Sequence, residues 1–225
     1  MMSFKQKTLF AAVASASALL AAGSANAVYV NNDGLGQALV YPYYTVRAGN
    51  TTLLSVVNTT DQAKAVKVRF LDGKNTAEVL DFNLFLSPKD VWTGAIMATA
   101  DGAMIATKDK SCTNPKLPAG GQPFRNFQFV EDGDVTALQA MDRTREGYVE
   151  ILEMATIPTT TALGKDVTHV SGTPKCSLTN DANATSETGL TAPSGGLFGS
   201  ESIVNFTSGY STSVDATALD GWHSG

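Results

Sequence analysis

The stretch Lys64–Phe70 alternates without a fault, and this most narrows what the chain can become. Val66, Val68 and Phe70 fall on one side of an extended backbone, and Lys67 and Arg69 on the other. A period of two places one face in an interior and one in water, which is the mark of a half-buried strand. Ala77–Leu86 repeats the pattern, with Leu80, Phe82, Leu84 and Leu86 inward and Asp81 and Asn83 outward. Asp72-Gly73-Lys74-Asn75 separates the two strands with turn residues.

The same reading extends along the chain. Gln37–Val46 is a predicted strand; Pro42 within it has no N–H, so this strand belongs at an edge or carries a bulge. Thr51–Asn58 is apolar on both faces (Leu54 and Val56, then Leu53 and Val57) and is expected at the centre of a sheet. Val91–Ile96, containing Trp92, is a further short strand, and Gly147–Met154 is another. Ser200–Phe206 and Tyr210–Ala218 form a hairpin turning at Ser208-Gly209. Strands at this spacing with no amphipathic helix between them predict an all-β chain, an antiparallel sandwich rather than a parallel α/β sheet. Residues 100–146 and 158–196 read as two long loop insertions, the first holding the apolar residues Phe124, Phe127, Phe129 and Val130 and one short helix over Val135–Met141.

The first 27 residues have a different character. Lys5 and Lys7 precede an apolar run from Leu9 to Ala22, and Ala25-Asn26-Ala27 gives a small-x-small site. This is the layout of a secretory signal peptide, with cleavage expected between Ala27 and Val28. The apolar run is shorter than the ~20 residues that span a bilayer, and no later segment is a transmembrane candidate. Removing 27 of the 225 residues leaves 198, residues 28–225, and losing Lys5 and Lys7 takes the formal net charge from −5 to −7. That charge repels phosphate backbones, so nucleic acid is not an expected partner. Export also sets the redox compartment: Cys112 and Cys176 are the two cysteines, and an even pair outside the cytoplasm is expected to form a disulfide.

No catalytic set assembles from the residue types. His169 and His223 are the two imidazoles, neither at metal-ligand spacing, and both read as loop residues. Gly-x-Ser-x-Gly is absent, and Gly120-Gly121 and Gly195-Gly196 lack the strand-to-helix setting of a phosphate loop. Glu131-Asp132-Gly133-Asp134, with Asp33 and Asp72 in other turns, offers calcium-type oxygens without the spaced pattern of a calcium loop, and reads as solvated turns. Glu150 and Glu153 lie three apart on one strand, hence on opposite faces, and cannot form a carboxylate dyad. Asn50, Asn58, Asn183 and Asn205 begin Asn-x-Ser/Thr triplets that this Asn- and Thr-rich composition produces by chance; the Ala-rich leader is bacterial in style. Tyr41, Tyr43, Tyr44 and Trp92 are either an exposed aromatic face for a glycan or partner strand, or core packing, and core packing is the expectation. No catalytic, cofactor or metal residue is assigned.

Residues 52–96 carry a resemblance. "VVNTT", the alternating "AVKVRFLDG" and "VLDFNLFLSPKDVWT" resemble an immunoglobulin-like module of bacterial exported proteins, and "EGYVEILEM" with the late "ATALDGW" is similar to uncharacterised proteobacterial secreted proteins. The resemblance implies an immunoglobulin-like β-sandwich and export, implies no chemistry, and implies a chain continuing past "DGW". The expected role is a non-enzymatic cell-surface or matrix structural protein that associates, with itself or another surface protein, through sheet edges. A glycan- or surface-ligand-binding module using the loops around Cys112 and Cys176 is the alternative, and a hydrolase using Glu150 or an acidic turn is a third.

Overall fold

The structure, a computed structural model, describes residues 27–131, 141–179 and 189–222. The expected signal segment therefore lies outside the described residues except for Ala27. So do His223, Asn183, Asp132–Asp134 and all of the expected 135–141 helix but Met141.

The described chain is mostly β. In order come β1 (Tyr29–Val30), β2 (Ala38–Thr45), β3 (Asn50–Asn58), β4 (Ala63–Asp72), β5 (Glu78–Leu86), β6 (Val91–Ala98), β7 (Ala103–Ala106), β8 (Cys112–Asn114), β9 (Gln122–Pro123), α1 (Phe127–Glu131), β10 (Glu146–Ile157), α2 (Ala162–Val167), β11 (Leu197–Asn205), β12 (Tyr210–Asp215) and β13 (Thr217–Asp220). They form two antiparallel sheets: sheet A, ordered β1-β13-β2-β10-β4-β5-β8, and sheet B, ordered β12-β11-β3-β6-β7-β9.

The predicted alternation is what holds the sheets together. Val66, Val68 and Phe70 of β4 are fully buried, as are Phe82, Leu84 and Leu86 of β5; Leu54, Val56, Trp92 and Ile96 answer them from sheet B. Outward, Lys67 pairs with Asp81, and Arg69 bridges Glu78 and Glu150. Pro42 sits at a bulge: Gly147 pairs with Tyr44 and Val149 with Tyr41, so Pro42 and Tyr43 oppose Tyr148 alone. There β2 also has an open flank, because β13 pairs with it only as far as Val40.

Several boundaries differ from the sequence expectation. The region 100–146 is not simply a loop. Its described part contributes β7 and β9 to sheet B and β8 to sheet A, while Phe124 and Phe129 enter the core. The segment after β10 folds α2, which starts at Thr161, whose hydroxyl accepts the Gly164 N–H at 3.0 Å. Leu163 and Val167, one turn apart, bury against Ala63, Ala65, Phe85, Cys112 and Ile157, giving a second apolar cluster. The expected strand Tyr210–Ala218 is two strands, because at Ala216 the chain leaves sheet B and joins sheet A as β13.

Cys112 and Cys176 are disulfide-bonded across a sequence separation of 64, with Cα atoms 5.4 Å apart. The bond joins β8 to the segment after α2. Asp166 of α2 holds that segment too, accepting the N–H groups of Ser177 at 3.1 Å and Leu178 at 2.9 Å. Closing so long a loop stabilises a fold by about 4 kcal/mol in the chain-entropy model. The double variant Cys112→Ser/Cys176→Ser is expected to lose about that much in urea unfolding, and a change below about 1 kcal/mol would show that the cluster around α2 holds the segment unaided.

Candidate functional site

Four strands end the two sheets. β1 and β9 have two residues each and β8 has three; β9 itself contains Pro123, and Pro115 follows β8. These edges are short, and two are blunted by proline, the usual guards against stray pairing. β12 is different. It has six residues, all exposed, and no described strand pairs along its other side. It contains no proline, no lysine and no arginine; its one charge is the terminal Asp215. Tyr210 is 58% exposed and Val214 45%, and Phe206 in the turn before them is 74% exposed.

Beside this edge lies an unusual carboxyl group. Glu201 of β11 pairs in register with Val214 of β12 and is 1% exposed. Its Oε1 accepts the Tyr43 N–H at 3.3 Å, at the open flank of β2; its Oε2 has no hydrogen-bond partner among the described residues. Burial pushes the Glu201 carboxyl up to about 7, against the Tyr43 N–H, which favours its charged form. The Tyr41 phenol donates to the Ser55 carbonyl at 2.7 Å, and burial together with the nearby Glu201 charge raises it well above the ordinary tyrosine value.

The outer face of sheet B forms an open groove of about 750 Å³, floored by small side chains such as Ser55, Ala95 and Ser202, with Leu53 and Met97 beside them and Lys108 at the rim. Among the described residues no aromatic side chain lines it. Of the four aromatics weighed as a ligand face, Tyr41, Tyr44 and Trp92 are buried in the core; only Tyr43 is half exposed, its phenol donating to Glu146 at 3.0 Å. Core packing is the role of Tyr41, Tyr44 and Trp92.

Charged groups elsewhere hold the structure together. At one end of the sandwich, Arg47 binds Asp142 at 2.8 Å and Glu146 at 3.0 Å. The Asp142 partner raises the Arg47 guanidinium, and Arg47 in turn holds the Asp142 carboxyl below its usual value. Arg143 binds Asp72 at 2.9 Å and lies 3.9 Å over the Phe129 ring. Asp72 also accepts the Lys74 and Ala77 N–H groups, so it closes the β4–β5 turn.

Lys64 and Glu153 are fully buried and 2.7 Å apart. Lys64 donates its other protons to Thr156 at 3.0 Å and Ser194 at 2.6 Å, while Glu153 accepts the Ser194 and Gly195 N–H groups at 3.0 and 2.8 Å. The sequence reading missed this pair, although the signal was present: each residue continues an inward series, two positions beyond Val66 and Ile151. Glu150 faces outward to Arg69, on the opposite face from Glu153 as the spacing requires.

His169 is not a free loop side chain. Its Nδ1 lies 2.5 Å from the Ser87 hydroxyl and 3.5 Å from Asp90. Both contacts fall on one ring nitrogen, whereas a serine-activating relay needs the base and its orienting carboxylate on opposite nitrogens. Ser87 also donates to the Val167 carbonyl at 2.9 Å and is 4% exposed, so this trio ties the segment after α2 to β5. Asn58 is fully buried, bonding the Gln62 and Ser87 carbonyls, and Asn205 caps its own turn through the Thr207 and Ser208 N–H groups. Among the described residues no His, Cys, Asp and Glu group gathers as metal ligands.

Two outcomes follow. Glu201 ionises near 4.5 when unfolded and near 7 when folded, so the folded chain retains a proton between those values and stability falls as pH rises through that window. Glu201→Gln is expected to flatten this dependence and regain about 3 kcal/mol at pH 8, read by denaturant unfolding across pH 4–8. An unchanged pH profile in the variant would refute the assignment. Lys64→Met alone is expected to destabilise by about 3–5 kcal/mol by stranding Glu153, and the double variant Lys64→Met/Glu153→Met by much less.

No protein-family model, no curated protein and no solved structure matches the chain.

Proposed function

We propose that the chain is an exported, non-enzymatic structural protein of a cell surface or extracellular matrix, an immunoglobulin-like sandwich that associates through an open sheet edge. The observation carrying this reading is β12, a six-residue edge strand exposed on every residue and lacking the lysines, arginines and prolines that keep such edges apart. A strand of this kind offers main-chain donors and acceptors to an added strand. The disulfide supports an oxidising location. Among the described residues no helix is long and apolar enough to cross a membrane.

The test is direct. The chain is expressed with its own first 27 residues, and the cell fractions and medium are probed for it. The expected result is a product beginning at Val28 outside the cytoplasm, accessible to added protease or released to the medium, and self-associating in a concentration series. A product that stays in the cytoplasm with its first residues intact would overturn the export reading.

A second reading, a binding module for acidic glycans, is favoured by one feature. Lys110, Lys116 and Lys175, against the single carboxylate Asp109, line a cleft of about 390 Å³ beside the Cys112–Cys176 bond, in a chain of net negative charge. Glycan-array binding abolished by Lys110→Gln/Lys175→Gln would favour it over the structural role.

A further inference from the structure

We propose that the open edge of β12 is a homotypic interface, in which two copies of this chain pair β12 with β12, antiparallel, about a two-fold axis through Thr212. This rests on the self-association put forward above and names its partner, its edge and its register.

The direction of the peptide groups sets which residues can bond outward. Ala216 donates its N–H to the Gly199 carbonyl across the β11–β12 ladder at 2.8 Å. In an antiparallel ladder the bonding residues recur every second position. Val214, Thr212 and Tyr210 therefore turn their peptide groups toward β11. Ser211 and Ser213 turn theirs, N–H and C=O both, toward the open side.

The side chains then choose a register. With Thr212 opposite Thr212 of the second copy, Ser211 of each copy exchanges two hydrogen bonds with Ser213 of the other. Thr212 forms a non-hydrogen-bonded pair on the axis, where side chains approach most closely. Tyr210 falls opposite Val214, twice by symmetry. Aromatic and β-branched residues directly across a ladder are a favourable pairing. This covers the two large apolar side chains that β12 leaves in water, at 58% and 45% exposure. Charge does not oppose it: Asp215 meets Gly209 of the second copy, so the two carboxylates lie at opposite ends of the new pair of strands. The product is one sheet running through both molecules, and each copy keeps its other faces free.

Six residues a side make a small interface, below the roughly 1,200 Å² typical of stable complexes. The dimer is thus expected to be weak, with a dissociation constant of about 10 μM or higher. Such an interface is effective only where the chain is concentrated, as in a surface layer or matrix.

Both native cysteines are held in the disulfide, so a single introduced thiol reports on this edge alone. Under mild oxidation Thr212→Cys is expected to give a disulfide-linked dimer at least tenfold faster than Ser213→Cys, since only the former faces its own copy at a distance a disulfide can bridge. In sedimentation velocity, Thr212→Lys and Thr212→Glu alone are each expected to weaken the dimer about tenfold or more, and an equimolar mixture to restore it. Equal or faster cross-linking of Ser213→Cys overturns the register. Association that Thr212→Lys leaves unchanged overturns this edge while self-association by another route stands. A wild-type chain that remains monomeric at millimolar concentration removes both.

Discussion

The two sheets are held at their separation by a run of aromatic rings, and the rest of the structure depends on that contact. Tyr44 meets Phe70 and Phe124 edge-on, with centroids 6.3 and 5.8 Å apart. Phe70 lies 4.9 Å from Phe124 and 6.3 Å from Phe82, and Phe82 lies 6.1 Å from Trp92. Trp92 comes from sheet B; Tyr44, Phe70 and Phe82 come from three strands of sheet A; Phe124 comes from the region between β9 and α1. Offset and edge-on contacts of this kind add to the area that the rings bury. Gly94 makes room for the indole: a Cβ there would come within 2.6 Å of the Trp92 ring. Beyond these rings, the buried Tyr41 packs beside Gly199 of β11, next to the Glu201 carboxyl and the β12 edge.

Two polar features sit inside this apolar frame, and they differ in how fully they are compensated. Lys64 and Glu153 satisfy each other and bring in Thr156, Ser194 and Gly195, so the segment before β11 is fastened by groups that cannot be left unpaired in a low dielectric. Glu201 has one long hydrogen bond from a backbone N–H and, among the described residues, no partner on its other oxygen. The first pair shares five hydrogen bonds with three neighbouring residues, and the second carboxyl accepts one. Glu201 also lies in register with Val214 of β12, whose outer side no described strand covers.

Much of the framework was legible in the sequence because period-two burial is a local signal. β4, β5, β6 and β10 stand within a few residues of where the alternation places them, and Pro42 marks a bulge because a residue without an N–H has few other places in a ladder. Short elements were not legible. β8 and β9 have three and two residues, too few to show a period, and their pairing is decided by partners far away in sequence. α2 is six residues long and reads as loop until Thr161 is recognised as its cap. The split of the last strand at Ala216 is a tertiary choice between two sheets. For the candidate site, the hairpin was visible, but its lack of a neighbour was not, since exposure of an edge depends on which strand fails to arrive. Lys64 and Glu153 were overlooked because charged residues at the start or within a strand read as surface until their phase against Val66 and Ile151 is counted.

β13 slots between β1 and β2, so the earliest described strand is bonded to the latest. Tyr29 and Val30 have no ladder until Leu219 and Asp220 exist to receive them. β10, between β2 and β4, also comes late, so β2 is flanked on both sides by strands far ahead of it in sequence, and contacts this remote are slow to form. The apolar residues of β2, Leu39, Tyr41 and Tyr44, therefore gain their in-sheet shelter only when β10 and β13 have both taken their places.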